Sequence, residues 1–365
     1  MNLLIAGNLV NNGYYLAKLL RANGISVDLL TKRNSQKDDP KFFDSEMVEY
    51  PDWIKFWNVS KWGWKIKIIN LMRKYDLIQA STELPIFALM SRQPFIALTT
   101  GSDIIELAHK NNIRGFLIRL AYKKAKTVVF GGPYMYPSIE KLNIKKSIFI
   151  PLIWDYQKFY PSQTRKYNKE KFTIFHPTGH RWNQKKNDIF LRSFARLAKN
   201  RNDIHLILIK RGPDFAKSME ILKNANVEDK ISVIPHSIPQ KDLQKYYIES
   251  DVVVDQFVVG STGLIGQEAM SCEKPVIQYV NKELYEKFYA EVPPIINASS
   301  EKEIYDALLS LIEDRDYAEK IGKLSRKWLL KYHDAEKIIK KYIYLYQAIA
   351  DNVSFKTLKS EIQKY

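Results

Sequence analysis

The chain has 365 residues, of which 45% are hydrophobic and 27% are charged, so it is long enough for two domains and has the composition of a soluble globular protein. Its single cysteine, Cys272, excludes an intrachain disulfide and a cysteine-based metal site, and no run of about 20 apolar residues would span a bilayer. The net charge of +17 favours a polyanionic partner, either nucleic acid or an anionic membrane surface, and is equally compatible with a well-solvated lysine-rich surface.

The first half of the chain begins with alternating predicted strands and helices. Residues 3–6 form an apolar strand, a turn follows at Gly7–Gly13, and a helix at Tyr14–Asn23 leads to a second strand at 26–30. Such a start predicts a parallel sheet with right-handed crossovers. The turn is similar to a dinucleotide-binding loop, although its glycines are not spaced as GxGxxG.

A segment rich in tryptophan and lysine follows at residues 53–74. Four of the seven tryptophans lie in it: Trp53, Trp57, Trp62 and Trp64. Indole rings and ammonium groups together favour the interface of an anionic bilayer. In the alternative interpretation, the tryptophans cover the sheet edge and an ordinary helix has a core face made by Ile66, Ile69 and Met72.

Polar residues follow the strand predicted at 95–98. Gly101 and Asp103 lie in this loop, directly before a helix predicted at 104–110. The Asp103 carboxylate is expected to cap that helix, and it can also face a ligand at the strand end.

The second half restarts the alternation after a polar stretch at 162–171, which is typical of a linker. A strand at 172–176 leads into a loop that contains Gly179, His180, Arg181 and Lys185. A later strand ends at Pro235, and His236 follows it. In an open α/β sheet, ligands bind at such carboxyl ends of the strands. Lys185 is also compatible with the alternative interpretation, in which it is an ordinary solvated charge on the loop.

The strongest signal lies at residues 250–280, which predict a strand, a glycine loop, a short helix and another strand. The loop contains Gly260, Ser261, Thr262 and Gly263, and Glu268 follows it in the helix. Backbone N–H groups at a helix N-terminus bind anions, and a carboxylate beside them can accept hydrogen bonds from a sugar diol. Phosphate and ribose side by side suggest a nucleotide. The glycine spacing alone is weak evidence, because many turns need glycine.

This stretch resembles the donor-site signature of the retaining, nucleotide-sugar-dependent glycosyltransferases of family 4. The matching residues are Gly263, Glu268, Ala269, Met270, Pro275, Val276 and Ile277. Two positions depart from the signature, because Gly260 stands in place of the first glutamate of the pair and Glu273 in place of a glycine.

Two further loops resemble motifs of the same family. Gly179, Lys185 and Asp188 fall in register with one motif, in which His180 takes the arginine position and Arg181 comes next. Gly101 and Asp103 match the other motif, in which Thr100 takes the place of the usual histidine.

The resemblance implies an α/β protein of the GT-B fold: two Rossmann-like domains that face each other across a cleft, with a C-terminal helix crossing back to the first domain. We expect the acceptor-side domain at 1–155, a linker at 156–171, the nucleotide-sugar domain at 172–340 and the returning helix at 341–365.

The implied reaction moves a sugar from a nucleoside-diphosphate sugar to a glycan, lipid-linked or other acceptor, with retained configuration and without a metal or other cofactor. Lys185 and Arg181 would neutralise the leaving diphosphate, and Asp103 would orient the acceptor. The expected donor-binding residues are Glu268, Gly260, Ser261, Thr262, Gly263, Gly179, His180, Pro235, His236 and Gly7.

Other functions use similar motifs. A sugar-nucleotide epimerase on the same fold would need a histidine and carboxylates in the cleft, and Thr100 and Gly260 count against it. A non-catalytic sugar-nucleotide-binding protein would bind the donor without turnover. A nucleic-acid partner is not expected, since no zinc-finger spacing or RRM-type aromatic motif occurs. We expect a cytoplasmic protein that can reach the inner face of a membrane.

Overall fold

The computed structural model describes residues 1–33, 38–43, 47–162, 170–236, 238 and 240–364. The chain divides into two compact units. The first unit comprises Met1–Asp155 together with His333–Tyr365, and the second comprises Tyr156–Tyr332.

The first unit is built on a parallel sheet. In the described part of the chain its strands are β1 (Leu3–Ala6), β2 (Val27–Lys32), β3 (Ile54–Trp57), β4 (Leu77–Ser81), β5 (Phe95–Thr99), β6 (Thr127–Phe130) and β7 (Ser147–Phe149). The helices between them are α1 (Asn12–Ala22), α2 (Pro40–Phe43), α3 (Trp64–Met72), α4 (Leu84–Ser91), α5 (Ser102–Ile105), α6 (Ile113–Lys124) and α7 (Tyr136–Lys141). The strand order is β3-β2-β1-β4-β5-β6-β7, so the order reverses between β1 and β4.

The second unit repeats this plan. Its described strands are β8 (Phe172–His176), β9 (Ile204–Ile209), β10 (Ile231–Ile234), β11 (Val252–Val254), β12 (Val276–Gln278) and β13 (Ile296–Asn297). Its helices are α8 (Trp182–Lys185), α9 (Asn187–Ala198), α10 (Phe215–Asn224), α11 (Gln240–Glu249), α12 (Leu264–Ser271), α13 (Lys282–Tyr289), α14 (Glu301–Glu313) and α15 (Arg315–Tyr332). All pairs are parallel and the order is β10-β9-β8-β11-β12-β13, with its reversal between β8 and β11.

Burial explains why short apolar runs form these sheets. Every residue of β1, β4, β5 and β11 is buried, because helices cover both faces of a parallel sheet. The two hydrophobic cores are separate, one in each unit.

The chain ends in the first unit with α16 (Ala335–Ala350) and α17 (Phe355–Lys364). The Asp334 carboxylate caps α16 by accepting from the N–H groups of Glu336 and Lys337. Tyr346 is buried and its hydroxyl donates to Oε1 of Gln79 on β4 at 2.8 Å. The predicted α/β fold of two Rossmann-like domains and a returning C-terminal helix is therefore confirmed.

The start of the predicted linker packs into the second unit. The Ser271 hydroxyl donates to the carbonyls of Tyr156 and Phe159, at 2.9 Å and 2.6 Å. Residues 163–169 of that linker lie outside the described residues.

Some tryptophans of the segment at 53–74 pack against other rings, and another lies on the surface. Trp53 stacks on Tyr14, with ring centroids 5.6 Å apart, and Trp57 stacks on Trp64 at 5.2 Å. Trp62 lies on the surface and is 95% exposed. Among the described residues, no helix is both long and apolar enough to cross a membrane.

The core face predicted for the helix in this segment is confirmed at Met72 and wrong at Ile66. Met72 is buried and Ile69 is partly buried, whereas Ile66 is 62% exposed and Ile68 is buried instead. The helix begins at Trp64, after Gly63 in a left-handed conformation, and its buried residues Ile68 and Met72 are four positions apart and therefore share one face.

Candidate functional site

Most of the predicted site residues lie on loops at the carboxyl ends of the central strands of the second sheet. β8 and β11 are neighbours in the sheet, and helices α9 and α12 follow them in the chain. The Thr178 hydroxyl, just after β8, donates to the buried Asp255 carboxylate, just after β11, at 2.7 Å. The two loops therefore meet where the strand order reverses, which is where open α/β sheets bind ligands.

The loop after β8 is fixed by its backbone. The His180 N–H donates to the carbonyl of Arg211 at 2.8 Å, and the Trp182 N–H donates to the Asp214 carboxylate at 3.1 Å. The His180 ring is fully buried, and its Nδ1 is 2.8 Å from the Ser218 hydroxyl. Burial lowers the pKa of His180 to about 4, so the ring is neutral near pH 7 and supports the loop from inside.

The two predicted cations of this loop are accessible. Arg181 is exposed, and its N–H donates to the Asn187 side chain at 3.0 Å. Lys185 ends the short helix α8 and is partly exposed. The Lys185 carbonyl accepts from the Phe257 N–H at 3.1 Å, so its backbone is tied to the loop after β11.

Arg211 is a third cation at this place, and the sequence analysis missed it. It follows β9, and its Nη2 donates to the carbonyl of Pro177 at 3.2 Å. A Cβ on Gly179 would lie 3.2 Å from the Nε of Arg211, so the guanidinium packs directly on that glycine. Arg211 is exposed as a whole residue, but partial desolvation of its guanidinium lowers the pKa, and the charges of Asp255 and Glu268 oppose this shift.

The loop after β11 is wound around the side chain of Gln256. Its Oε1 accepts from the N–H groups of Val258 and Val259, and its Nε2 donates to the carbonyl of Ser261 at 2.9 Å. Gly260 has a φ of 72°, and its carbonyl accepts from the Asn281 N–H. The position where the family signature has a glutamate is thus a left-handed turn that favours glycine.

The two hydroxyls of this loop point inward. Ser261 and Thr262 are buried, and their hydroxyls lie 3.1 Å and 2.8 Å from the hydroxyl of Tyr285 on α13. The Thr262 N–H donates to the same hydroxyl at 2.8 Å. These residues fasten the loop to α13.

Helix α12 begins directly after Gly263 and holds Glu268 inside the unit. Its first N–H groups have no partners within the helix, and they lie after the glycine loop. Glu268 is only 4% exposed, and its Oε2 accepts from the buried Tyr247 hydroxyl at 2.8 Å. Burial together with the Glu268 charge raises the pKa of Tyr247 well above its usual value, so the phenol remains a donor.

Pro235 and His236 lie further from this centre. They follow β10, the edge strand, which is separated from β8 by β9. Both residues are exposed. They share the carboxyl edge of the sheet with the other loops, but no described hydrogen bond joins them to those loops.

Gly7 and Asp103 belong to the first unit. Gly7 directly follows β1 and has a φ of 108°, and a Cβ there would be 2.1 Å from the Ser81 hydroxyl. Gly7 lines a small cavity at the carboxyl ends of β1 and β4, together with Leu9, Asn12, Gly13, Gln79, Ser81 and Thr100.

The Asp103 carboxylate is buried and accepts from the Thr100 N–H at 2.9 Å, the Thr100 hydroxyl at 3.2 Å and the Tyr122 hydroxyl at 3.0 Å. Burial raises its pKa. The predicted capping of a helix at 104–110 is wrong, because Asp103 lies within α5, which ends at Ile105. The carboxylate instead closes the preceding loop. Among the described residues, no group of three or more His, Cys, Asp or Glu side chains is arranged to hold a metal.

Comparisons with known proteins agree with this architecture. The sequence-family model of glycosyl transferases group 1 matches residues 157–328, and the sequence-family model described as glycosyl transferase 4-like matches residues 7–131. A Bacillus subtilis (strain 168) protein, the uncharacterized glycosyltransferase YqgM, is 24% identical over 237 residues. The match spans 64% of this chain and 64% of the relative, which is less than two thirds of its length.

Solved structures share the fold over nearly the whole chain. The Anabaena protein Alr3699/HepE, in complex with UDP and glucose, has a TM-score of 0.76 at 13% identity and covers 95% of this chain and 100% of its own. Sucrose-phosphate synthase from Thermosynechococcus elongatus has a TM-score of 0.72 at 16% identity, covering 96% and 100%. The structural matches show the GT-B fold, and the two glycosyltransferase family models together match most of the chain.

Proposed function

We propose that the protein transfers a sugar from a nucleoside-diphosphate sugar to a glycan, lipid-linked or other acceptor, with the donor bound by the second unit. One observation carries the proposal. Arg181, Lys185 and Arg211 gather on loops at the carboxyl ends of β8 and β9, and the Lys185 carbonyl joins them to the loop that leads into α12 and the buried Glu268. Three cations and a helix N-terminus suit a diphosphate, and a carboxylate suits a ribose diol.

The assignment of donor groups follows from this charge pattern. The diphosphate would lie between the guanidinium of Arg211, the Lys185 ammonium and the first turn of α12. Glu268 would accept from the ribose hydroxyls. The base would lie toward the outer strands, where Pro235 and His236 are exposed. Uridine is the first base to test, because the Anabaena neighbour is described in complex with UDP.

The proposed chemistry is a same-face displacement with retained configuration. Negative charge grows on the diphosphate as its bond to the sugar breaks, and Lys185 and Arg181 stabilise that charge. The departing phosphate oxygen takes the proton of the acceptor hydroxyl as the new glycosidic bond forms. Because protein cations supply the neutralising charge, the reaction needs no metal in this scheme. Asp103 would act on the acceptor side through the Thr100 loop that it holds.

The test begins with binding and continues with products. Nucleoside diphosphates and UDP-sugars are compared by thermal shift, since a ligand that binds only the folded state raises its stability. NMR then follows each bound UDP-sugar with and without lipid-linked and glycan acceptors, in the presence of a chelator. A new glycoside with the anomeric configuration of the donor supports the proposal.

Other outcomes assign the site differently. Binding without turnover of any donor would indicate a non-catalytic sugar-nucleotide-binding protein. A changed sugar that forms from the nucleotide sugar alone would indicate an epimerase. An inverted product would contradict the proposed same-face displacement.

A further inference from the structure

Exposed apolar side chains are concentrated at the starts of two helices of the first unit. Trp62 and Ile66, at the start of α3, are 95% and 62% exposed. Ile113 and Phe116, at the start of α6, are 78% and 58% exposed. We call these four side chains the apolar rim. Single exposed apolar residues are ordinary, but a group of large ones marks an interaction surface.

Helix α4 connects the two halves of the rim. Trp64, which lies two residues after Trp62, contacts Phe87 of α4 with ring centroids 5.6 Å apart. Arg114, between the two rim residues of α6, forms an ion pair with Glu83 at the start of α4. Glu83 and Phe87 are four residues apart and therefore share one side of the first turn of α4. Both halves of the rim thus flank the same helical turn.

The rim is bordered by lysines without acidic partners. Lys61, Lys65 and Lys67 are exposed, and residues 59–67 contain no acidic residue. In the described part of the chain, no carboxylate lies within ion-pair distance of these three ammonium groups. Lys110, also exposed, precedes α6. Apolar tips and uncompensated positive charge therefore occupy one surface.

We propose that the apolar rim and its lysines dock the first unit on an anionic lipid bilayer. The Trp62 indole suits the headgroup level, the isoleucine and phenylalanine side chains reach the acyl boundary, and the lysines meet lipid phosphates. A nucleic acid fits less well, since bases stack on aromatic rings but gain little from the isoleucine tips. Trp57, which stacks on Trp64, stays in the protein.

Co-sedimentation with vesicles tests the charge requirement. The protein should bind phosphatidylcholine vesicles that contain phosphatidylglycerol, should bind pure phosphatidylcholine much less, and should dissociate as salt is raised. The variant K61Q/K65Q/K67Q should bind about a hundredfold more weakly, because each lysine near an anionic surface contributes about fivefold. The matched control K199Q/K223Q/K327Q removes three exposed lysines from the second unit and should change binding less than twofold. Equal losses in both variants would overturn the proposal.

A second comparison tests insertion of the rim. W62S/F116S should bind about tenfold more weakly, while Leu330→Ser, which removes a 46% exposed apolar side chain from the second unit, should bind normally. Brominated lipids should quench the tryptophan emission of the native protein and should quench it much less in W62F. Melting temperatures check that the variants are folded.

The proposal fails if W62S/F116S sediments like the native protein or if W62F is quenched as strongly. It also fails if a single-stranded oligonucleotide binds more tightly than the vesicles and the rim variant abolishes that binding. In that case the apolar rim and its lysines bind a nucleic acid. These measurements use no turnover, so they stand independently of the proposed glycosyl transfer.

Discussion

The two units arrange their central strands in the same order, and they differ in the charges on the loops near the point where that order reverses. In the first unit the loops after β1 and β5 contain Gly7 and the buried Asp103 carboxylate, which Thr100 and Tyr122 surround with donors. In the second unit the loops after β8 and β9 carry cations, with Arg211 packed on Gly179.

A shared scaffold sets where a ligand binds, and a few loop side chains set which ligand it is. The proposed function therefore assigns the diphosphate to the second unit.

Acid should destabilise the second unit more than the first, and this is the largest effect we expect. Burial lowers the pKa of His176 to about 3 and that of His180 to about 4, so between pH 6.5 and 4 the unfolded second unit binds protons that the folded unit does not. Its stability should therefore fall on acidification, by roughly 1.4 kcal/mol per histidine and pH unit.

The first unit responds to acid in a more balanced way. The raised pKa of Asp103 acts in the opposite sense, because its stabilising effect is present in acid and is lost as the pH rises through the folded value. His333, whose pKa burial lowers to about 3, acts in the same sense as the two histidines of the second unit.

Hydrogen exchange measures this contrast directly. After correction for the intrinsic exchange rate, residues 172–180 should lose protection below pH 6.5 before residues 95–103 do. His180→Asn should reduce the pH slope of the second unit's stability, because it removes one of the three histidines of that unit whose pKa burial lowers. Simultaneous loss of protection in both units would contradict the contrast.

Glu268→Ala should give the next largest effect. It removes a charge-assisted hydrogen bond to the donor, which costs about 1.5–3 kcal/mol, or roughly ten- to a hundredfold in UDP-sugar affinity. Calorimetric titration measures the affinity, and the melting temperature shows whether the variant is folded. A folded Glu268→Ala variant with native affinity would show that the ribose site is misassigned.

Much of this second-unit site could be predicted from sequence. The buried strand at 252–254, the glycine loop and the helix that contains Glu268 follow in the predicted order, and the role of Glu268 in a nucleotide site stays a prediction. Arg211 itself could not be found, because it lies after a strand with no motif around it. Only the parallel pairing of β8 and β9 brings it onto Gly179.

Other details depended on tertiary packing. His180 stands at an arginine position of the family motif, and only the structure shows that its ring turns inward to Ser218. Likewise, the packing of α3 decides that Ile68 is buried and Ile66 is exposed, and hydrophobic spacing alone does not choose between these two residues.

Lys185→Ala should lower kcat by about tenfold and change the donor KM little. The ammonium meets most negative charge when the diphosphate leaves, so its effect is largest in the transition state. Lys186→Ala is the matched control, because this neighbouring lysine is exposed. A raised KM with unchanged kcat would instead indicate uniform binding.

Gly260→Ala should give the smallest effect. At a φ of 72° the added Cβ costs about 1 kcal/mol of stability, and it would lie 3.3 Å from the Tyr279 ring. Gly24→Ala is a control in the first unit, with a φ of 77° and open space around it. Both variants should melt at lower temperature, but only Gly260→Ala should also weaken UDP binding. Equal UDP affinity in the two variants would remove the loop from the site.

The central claim is that the anionic donor is held at the reversal point of the second sheet and not at that of the first. Calorimetric titration of UDP into the native protein, Arg211→Gln and Asp103→Asn tests it most directly. We predict that Arg211→Gln weakens binding at least tenfold, since a hydrogen bond to a charged group is worth about 1.5–3 kcal/mol, and that Asp103→Asn stays near the native affinity. Native affinity in Arg211→Gln, together with weakened binding in Asp103→Asn, would contradict the claim.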